Sequence, residues 1–179
     1  MIASTRSTLS LTPSPHIVRL AMLVKAGGPV LDVAAGNGRH AVLFADRGHA
    51  VTAIDRDVTS LRALADPRIE VIAADLERGP WPVRGRTFAA VVVSNYLWRP
   101  LLPTLITSVA PGGVLLYETF AVGNERHGRP RNPDFLLRHD ELRQAVAGQL
   151  EVVEFEYGPV GDPPIAVRQR IAAIRPASR

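Results

Sequence analysis

The sequence predicts an α/β fold: seven strands in a mostly parallel sheet, helices on both faces, and an antiparallel last strand. Three observations carry this. Short apolar runs of strand length alternate with segments of helical periodicity along the chain. The run at 30–34 is short and apolar, as a strand buried on both faces is. Residues 167–175 instead alternate apolar and polar, the pattern of an edge or antiparallel strand.

The elements follow in order. Ser14 and Pro15 form an N-cap and first helical position, Ile17, Leu20, Ala21 and Val24 fall at helical spacing, and Gly27-Gly28 stop the helix. The first strand covers 30–34, a helix 38–47 closes at Gly48, and the second strand covers 50–55. Asp57 caps a short helix to Ala65, ended by Pro67. Residues 69–73 and "FAAVVVSNY" give strands three and four. A helix over 100–110 begins with proline and breaks at Pro111-Gly112-Gly113, before a fifth strand at 114–119. A Pro/Gly/Arg-rich connection spans 120–137, then come a helix at 139–148 and a sixth strand, "LEVVEFEY". Residues 1–14 read as a flexible N-terminal tail and 15–179 as a single domain without internal repeat.

At 179 residues, 46% hydrophobic and 21% charged, the chain has the size and composition of one globular domain with its own core. It has no cysteine, which excludes disulfides, thiolate metal sites and cysteine nucleophiles. No metal is expected, and a reducing cytoplasm suits the composition. The formal charge of +4 comes from scattered arginines without a dense basic block. That is either a solvated surface or a face for nucleic acid or an anionic ligand. No apolar stretch reaches the ~20 residues of a membrane span, so no membrane partner is expected.

In parallel sheets, ligands sit beyond the carboxyl ends of the strands. That rule brings the loops at 34–39, 55–57, 74–76, 94–99 and 119–137 to one side. The most informative is the first, in "LDVAAGNGRHAVLFADRGHAVTAIDRD". Gly36 and Gly38 permit a sharp strand-to-helix turn and close approach of a ligand to the backbone. The helix beginning near Gly38 offers free amides and the positive end of its dipole. Asp55, at the end of the next strand, can accept hydrogen bonds from both hydroxyls of a ribose. The stretch Gly36 to Ala41 also satisfies the G-x-G-x-x-G/A form of dinucleotide-binding enzymes. Asp32 tilts the choice. Four residues before Gly36, its charge gains a phosphate nothing but suits a ligand bearing an ammonium group. A buried structural acid at Asp32, a turn cap at Asp55 and a loop cap at Asp75 are the alternatives.

"LDVAAGNG" resembles motif I of class I S-adenosylmethionine-dependent methyltransferases, (D/E)-x-G-x-G-x-G. Asp55 stands where their ribose-binding acid does, Asp75-Leu76 in "IAADLE" where they contact adenine, and "APGGVLLYE" resembles their fifth-strand approach. The order of strands and helices agrees from about residue 15 to 175. Ala34 departs from the pattern, standing where the first motif glycine usually is. Small relatives with "A-A-G-N-G-R" turns, among them the tellurite-resistance and thiopurine methyltransferase-like groups, are similar. The resemblance implies a Rossmann-like fold and S-adenosyl-L-methionine as cofactor, held by Asp32, Ala34, Gly36, Asn37, Gly38, Arg39, Asp55, Arg56, Asp75, Leu76, Ser94 and Asn95. Arg39, close to the turn, meets either the donor's carboxylate or an acidic partner.

The fourth-strand loop, "SNYLWRP", is where the family's acceptors meet the donor. Asn95-Tyr96 faintly resembles the (D/N)-P-P-(Y/F) loop of amino-group methyltransferases, but without its prolines. Tyr96 and Trp98 either stack on a ligand or pack beneath the following helix. In "ETFAVGNERHGRPRNPDF", a connection long for a compact domain, Arg126, His127, Arg129 and Arg131 bind an anionic acceptor, act as a lid, or are ordinary surface charges. His127 is the first candidate general base, with Tyr96, Tyr117 and Glu118 as others. Soft anionic acceptors need no base, because the sulfonium is already activated and alignment supplies the rest. The expectation is methyl transfer to a small molecule. An RNA-modifying enzyme, a non-catalytic donor-binding or partner-activating protein, and an NAD oxidoreductase are the rivals.

Overall fold

The computed structural model describes residues 12–177 and is a seven-stranded sheet with the order β3-β2-β1-β4-β5-β7-β6. The strands are β1 (Val30–Val33), β2 (Val51–Asp55), β3 (Ile69–Ala73), β4 (Phe88–Ser94), β5 (Val109–Phe120), β6 (Glu151–Val160) and β7 (Ala166–Ile174). β1 to β5 pair in parallel, and β7 runs antiparallel between β5 and β6. The last strand is therefore antiparallel, as its alternation predicts, but β6 and not β7 forms the edge.

The helices are α1 (Pro15–Leu20), α2 (Arg39–Ala45), α3 (Thr59–Ala63), α4 (Leu102–Thr107) and α5 (Glu141–Val146). Each is shorter than predicted; 3₁₀ turns at Ala21–Leu23 and Arg99–Leu101 extend the first and introduce the fourth. Successive residues of a strand face opposite sides, so the sheet builds two cores. On one side Leu31, Val33, Val91 and Val93 pack with Leu105 and Ile106 of α4 and Leu142 and Val146 of α5. On the other, Val30, Val51 and Val92 meet Ile17 of α1, Phe44 of α2 and Leu61 of α3. Burying such side chains contributes about 1.5–3 kcal/mol each.

Two predicted features differ. Pro111-Gly112-Gly113 does not stop an element; β5 runs through it with a register shift opposite Phe88 and Ala90. Gly112 takes φ +74, and a Cβ on Gly113 would lie 2.8 Å from the Phe88 carbonyl oxygen, so the glycines make an irregular strand instead of a break. The other difference is at the start of the chain. Ser14, expected in the tail, is buried: its N–H donates to His40 Nε2 at 3.1 Å, and its side chain hydrogen-bonds Glu118. Residues 1–11 of the expected tail lie outside the described residues.

Candidate active site

The carboxyl ends of β1 to β5 open into adjoining cavities. The first, about 260 Å³, is lined by Ala34, Asp55, Arg56, Ala74, Asp75, Leu76, Glu77 and Tyr96. A second, about 230 Å³, lies over the first turn and is bounded by Asp32, Ala34, Gly36, Asn37, Arg39, His40, Ser94 and Asn95. Ala34 is common to both, so together they form one elongated trough.

The turn is built from backbone. Ala35 N–H donates to the Ile54 carbonyl at 3.0 Å and Gly38 N–H to the Ala35 carbonyl at 2.9 Å. Ala34 takes φ +54 and Gly36 φ +58, both left-handed. An alanine in that region carries about 1 kcal/mol of strain, which the surrounding ladder holds in place. A Cβ on Gly36 would meet nothing within 4 Å, leaving the open space a ligand needs. Gly38 has another task. A Cβ there would come within 2.7 Å of Leu64 and 2.8 Å of Leu61, so its bareness serves the packing of α3, not ligand approach.

Asp55 ties the trough together. Its Oδ2 accepts from Gly36 N–H at 2.8 Å and its Oδ1 from Asp57 N–H at 3.0 Å. Each oxygen keeps a lone pair for a further donor. Asp75 accepts from Glu77 N–H and Arg78 N–H through Oδ1 alone, so it both caps the loop after β3 and lines the cavity. Asp32 is 1% exposed and its Oδ2 has no hydrogen-bond partner. Burial pushes its carboxyl up to about 7, against the Ala41 N–H bond and the nearby Arg39 charge. A buried acid with an orphaned oxygen fits a cationic ligand group.

The first amides of α2 do not stand free as expected. Arg39 N–H donates to Asn37 Oδ1 at 3.3 Å, and Ala41 N–H is taken by Asp32. Seven residues long, α2 contributes the Arg39 guanidinium instead, which donates through Nη2 to Ser94 Oγ at 2.9 Å. Ser94 in turn donates to Glu118 Oε1 at 3.0 Å, and Arg170 closes on Glu118 Oε2 at 3.4 Å. Burial alone would raise the Glu118 carboxyl, but the Ser14 and Ser94 hydrogen bonds and the Arg168 charge hold it below its ordinary value. His40 has its imidazole pushed down to about 4 by burial and Arg39, so it is neutral and accepts the Ser14 amide.

Beyond Asn95 and Tyr96 lies a third cavity of about 230 Å³, lined by Leu97, Thr119, Phe120, Pro130 and Phe135 with Glu77. Trp98 packs against the core and flanks a neighbouring apolar hollow shared with Phe135. Tyr117 is displaced from its expected role. It is 1% exposed and donates its hydroxyl to the Tyr96 carbonyl at 2.9 Å, inside the core. Tyr96 does line the trough, but burial and the acids around it push its hydroxyl up to about 12. Arg126, His127, Arg129 and Arg131 are exposed and line none of these three cavities; the same loop delivers Pro130 and Phe135. Asn124 anchors the loop from within, bonding the Pro130 carbonyl and Val167 N–H. Glu77, Phe120, Phe135 and Arg168 were not legible as site residues. For Arg168 a signal existed, since alternation along β7 places it beside Arg170 on one face.

Residues 30–113, which include β1 to β4 and both donor-side cavity walls, match the family described as a methyltransferase domain. No curated protein matches the sequence. Among solved structures, this chain is similar to the Burkholderia thailandensis 1,6-didemethyltoxoflavin-N1-methyltransferase bound to 1,6-didemethyltoxoflavin and S-adenosylhomocysteine. That match has 18% identity over 90% of this chain and 77% of the other, with a TM-score of 0.69. An S-adenosylmethionine-dependent methyltransferase from Methanosarcina mazei is 13% identical over 93% and 100%, with a TM-score of 0.70. The [4+2]-cyclase SpnF is 14% identical over 90% and 81%, with a TM-score of 0.67. The shared fold is the Rossmann-like one that the motif I resemblance implies; none of these matches singles out the tellurite-resistance or thiopurine group.

Proposed function

We propose that the protein transfers a methyl group from S-adenosyl-L-methionine to a small-molecule acceptor. The observation that carries this is the pairing of Asp55, bonded to the Gly36 amide across the turn, with the buried, half-satisfied Asp32 beneath the same trough. In this reading Asp55 receives the ribose hydroxyls, Asp75 and Leu76 border the adenine, and Ala34, Gly36 and Asn37 form the floor. Asp32 faces the ammonium and Arg39 the carboxylate of the amino-acid tail, with Arg56, Ser94 and Asn95 at the rim. The donor supplies an activated methyl on a sulfonium; the chain's residues bind, align and exclude water. The third cavity, walled by Tyr96, Phe120 and Phe135, is where the acceptor sits. Its 230 Å³ suits a small ring better than a polymer.

The exposed Arg126, Arg129 and Arg131 favour RNA as a second acceptor class. Calorimetry with S-adenosylhomocysteine against NAD tests the donor: binding of the first alone is expected, and binding of NAD alone defeats the assignment. RNA binding that falls steeply with added salt would transfer weight to the second class.

A further inference from the structure

We infer, resting on the methyltransferase reading, that the acceptor presents an ionised oxygen or sulfur to the methyl group, and not an amine, because Asn95 is locked as a hydrogen-bond donor. Asn95 follows β4 in a left-handed conformation, φ +58, with its N–H held by the Glu118 carbonyl at 3.0 Å. It lines both the donor trough and the acceptor cavity, so it stands where the two substrates meet. Arg168 Nη1 lies 2.6 Å from Asn95 Oδ1. A guanidinium only donates, so the amide oxygen must face Arg168. The amide nitrogen then turns away, and among the described residues it bonds nothing. A donor at that point matches a carboxylate, phenolate or thiolate; an amine nucleophile needs an acceptor there.

Arg168 is itself fixed. Its guanidinium lies 4.2 Å from the centroid of Phe120, a wall of the acceptor cavity. Its charge, with those of Arg39 and Arg170, gathers around the buried carboxylate of Glu118, which is already engaged by Ser14, Ser94 and Arg170. Among the described residues, no histidine lines the acceptor cavity to remove a proton. An anion needs none removed: its lone pair forms the new bond to the methyl carbon as the carbon–sulfur bond breaks. The electron pair stays on sulfur as a neutral thioether, and the two charges cancel. Glu77 is an acid lining the same cavity, and it is the group an amine would choose.

Binding of benzoate and benzylamine to the protein saturated with S-adenosylhomocysteine decides between them. Benzoate is expected to bind roughly tenfold tighter or more, the effect of one charge-assisted hydrogen bond. Arg168→Met, which frees the amide to rotate, should bring the ratio toward one when both probes are measured at saturating S-adenosylhomocysteine. Arg168→Lys should recover the preference, and Asn95→Asp should reverse it. Benzylamine favoured in the unmodified protein, neither probe bound, or a preference that survives both Arg168→Met and Asn95→Asp overturns the inference. Failure to bind S-adenosylhomocysteine overturns the donor reading and this inference with it; donor binding with benzylamine preferred overturns this inference alone.

Discussion

Asp55 has four lone-pair positions facing two amides and, in the donor reading, two ribose hydroxyls. Asp55→Ala removes two charge-assisted hydrogen bonds to the ligand and slackens the turn. Affinity for S-adenosylhomocysteine should fall about 100-fold or more, measured by calorimetry. Asp32 makes a pH-dependent prediction. Its carboxyl sits near 7 in the folded protein and near its ordinary 3.8 when unfolded. Between those values the folded state alone retains the proton, so this group's contribution to stability falls as pH rises from about 4 to about 7, then levels off. A ligand ammonium favours the ionised form. Donor affinity should therefore rise with pH up to about 7, with a proton released on binding below that. Asp32→Asn should flatten both dependences, read by urea titrations and by calorimetry in buffers of different ionisation heat. The two acids were legible because their spacing around a glycine turn is local in the chain. The donor–acceptor orientation of Asn95 was not, because it is set by Arg168, 73 residues away.

Glu118 on β5 joins three elements: β4 through Ser94, α1 through Ser14 and β7 through Arg170. Removing one charge of a buried pair leaves the other uncompensated, so Glu118→Gln should destabilise the protein by about 3 kcal/mol, read from the midpoint of urea unfolding. The loop 121–137 invites the opposite prediction. Its arginines point outward, while Asn124 and Arg99, which holds the Asp134 and Leu136 carbonyls, fix its shape. Replacing Arg126, Arg129 and Arg131 together with alanine should leave donor binding and small-molecule turnover within about twofold. An RNA substrate would instead lose affinity with a shallower salt dependence. Helices and strands were readable from periodicity here; the Pro111-Gly112-Gly113 break was not. The same residues that end a helix also permit a strand to bulge, and only the pairing of β5 with β4 and β7 selects between them.

The overall architecture was legible because alternating elements leave few right-handed, unknotted arrangements. What was not legible was which late strand takes the edge. Alternation along β7 fits either place, and the decision lies in partners distant in sequence, such as Val114 with Ile174. That insertion leaves the outer two strands attached to the sheet through β7 alone. Among the described residues β6 has β7 as its sole sheet neighbour and forms a local antiparallel hairpin with it from Val160 and Ala166, so the remote step is the docking of that hairpin onto β5 through β7. Contacts this remote are slow to form. Phe155→Ala on β6 should therefore hasten unfolding while leaving the refolding rate nearly untouched, a chevron with one displaced arm. A lesion in β7 is a different matter: it strands β6, undercuts α5 and lets go of Arg168 at once, so the outermost third of the sheet and the chemistry at its rim stand or fall on a single nine-residue keystone.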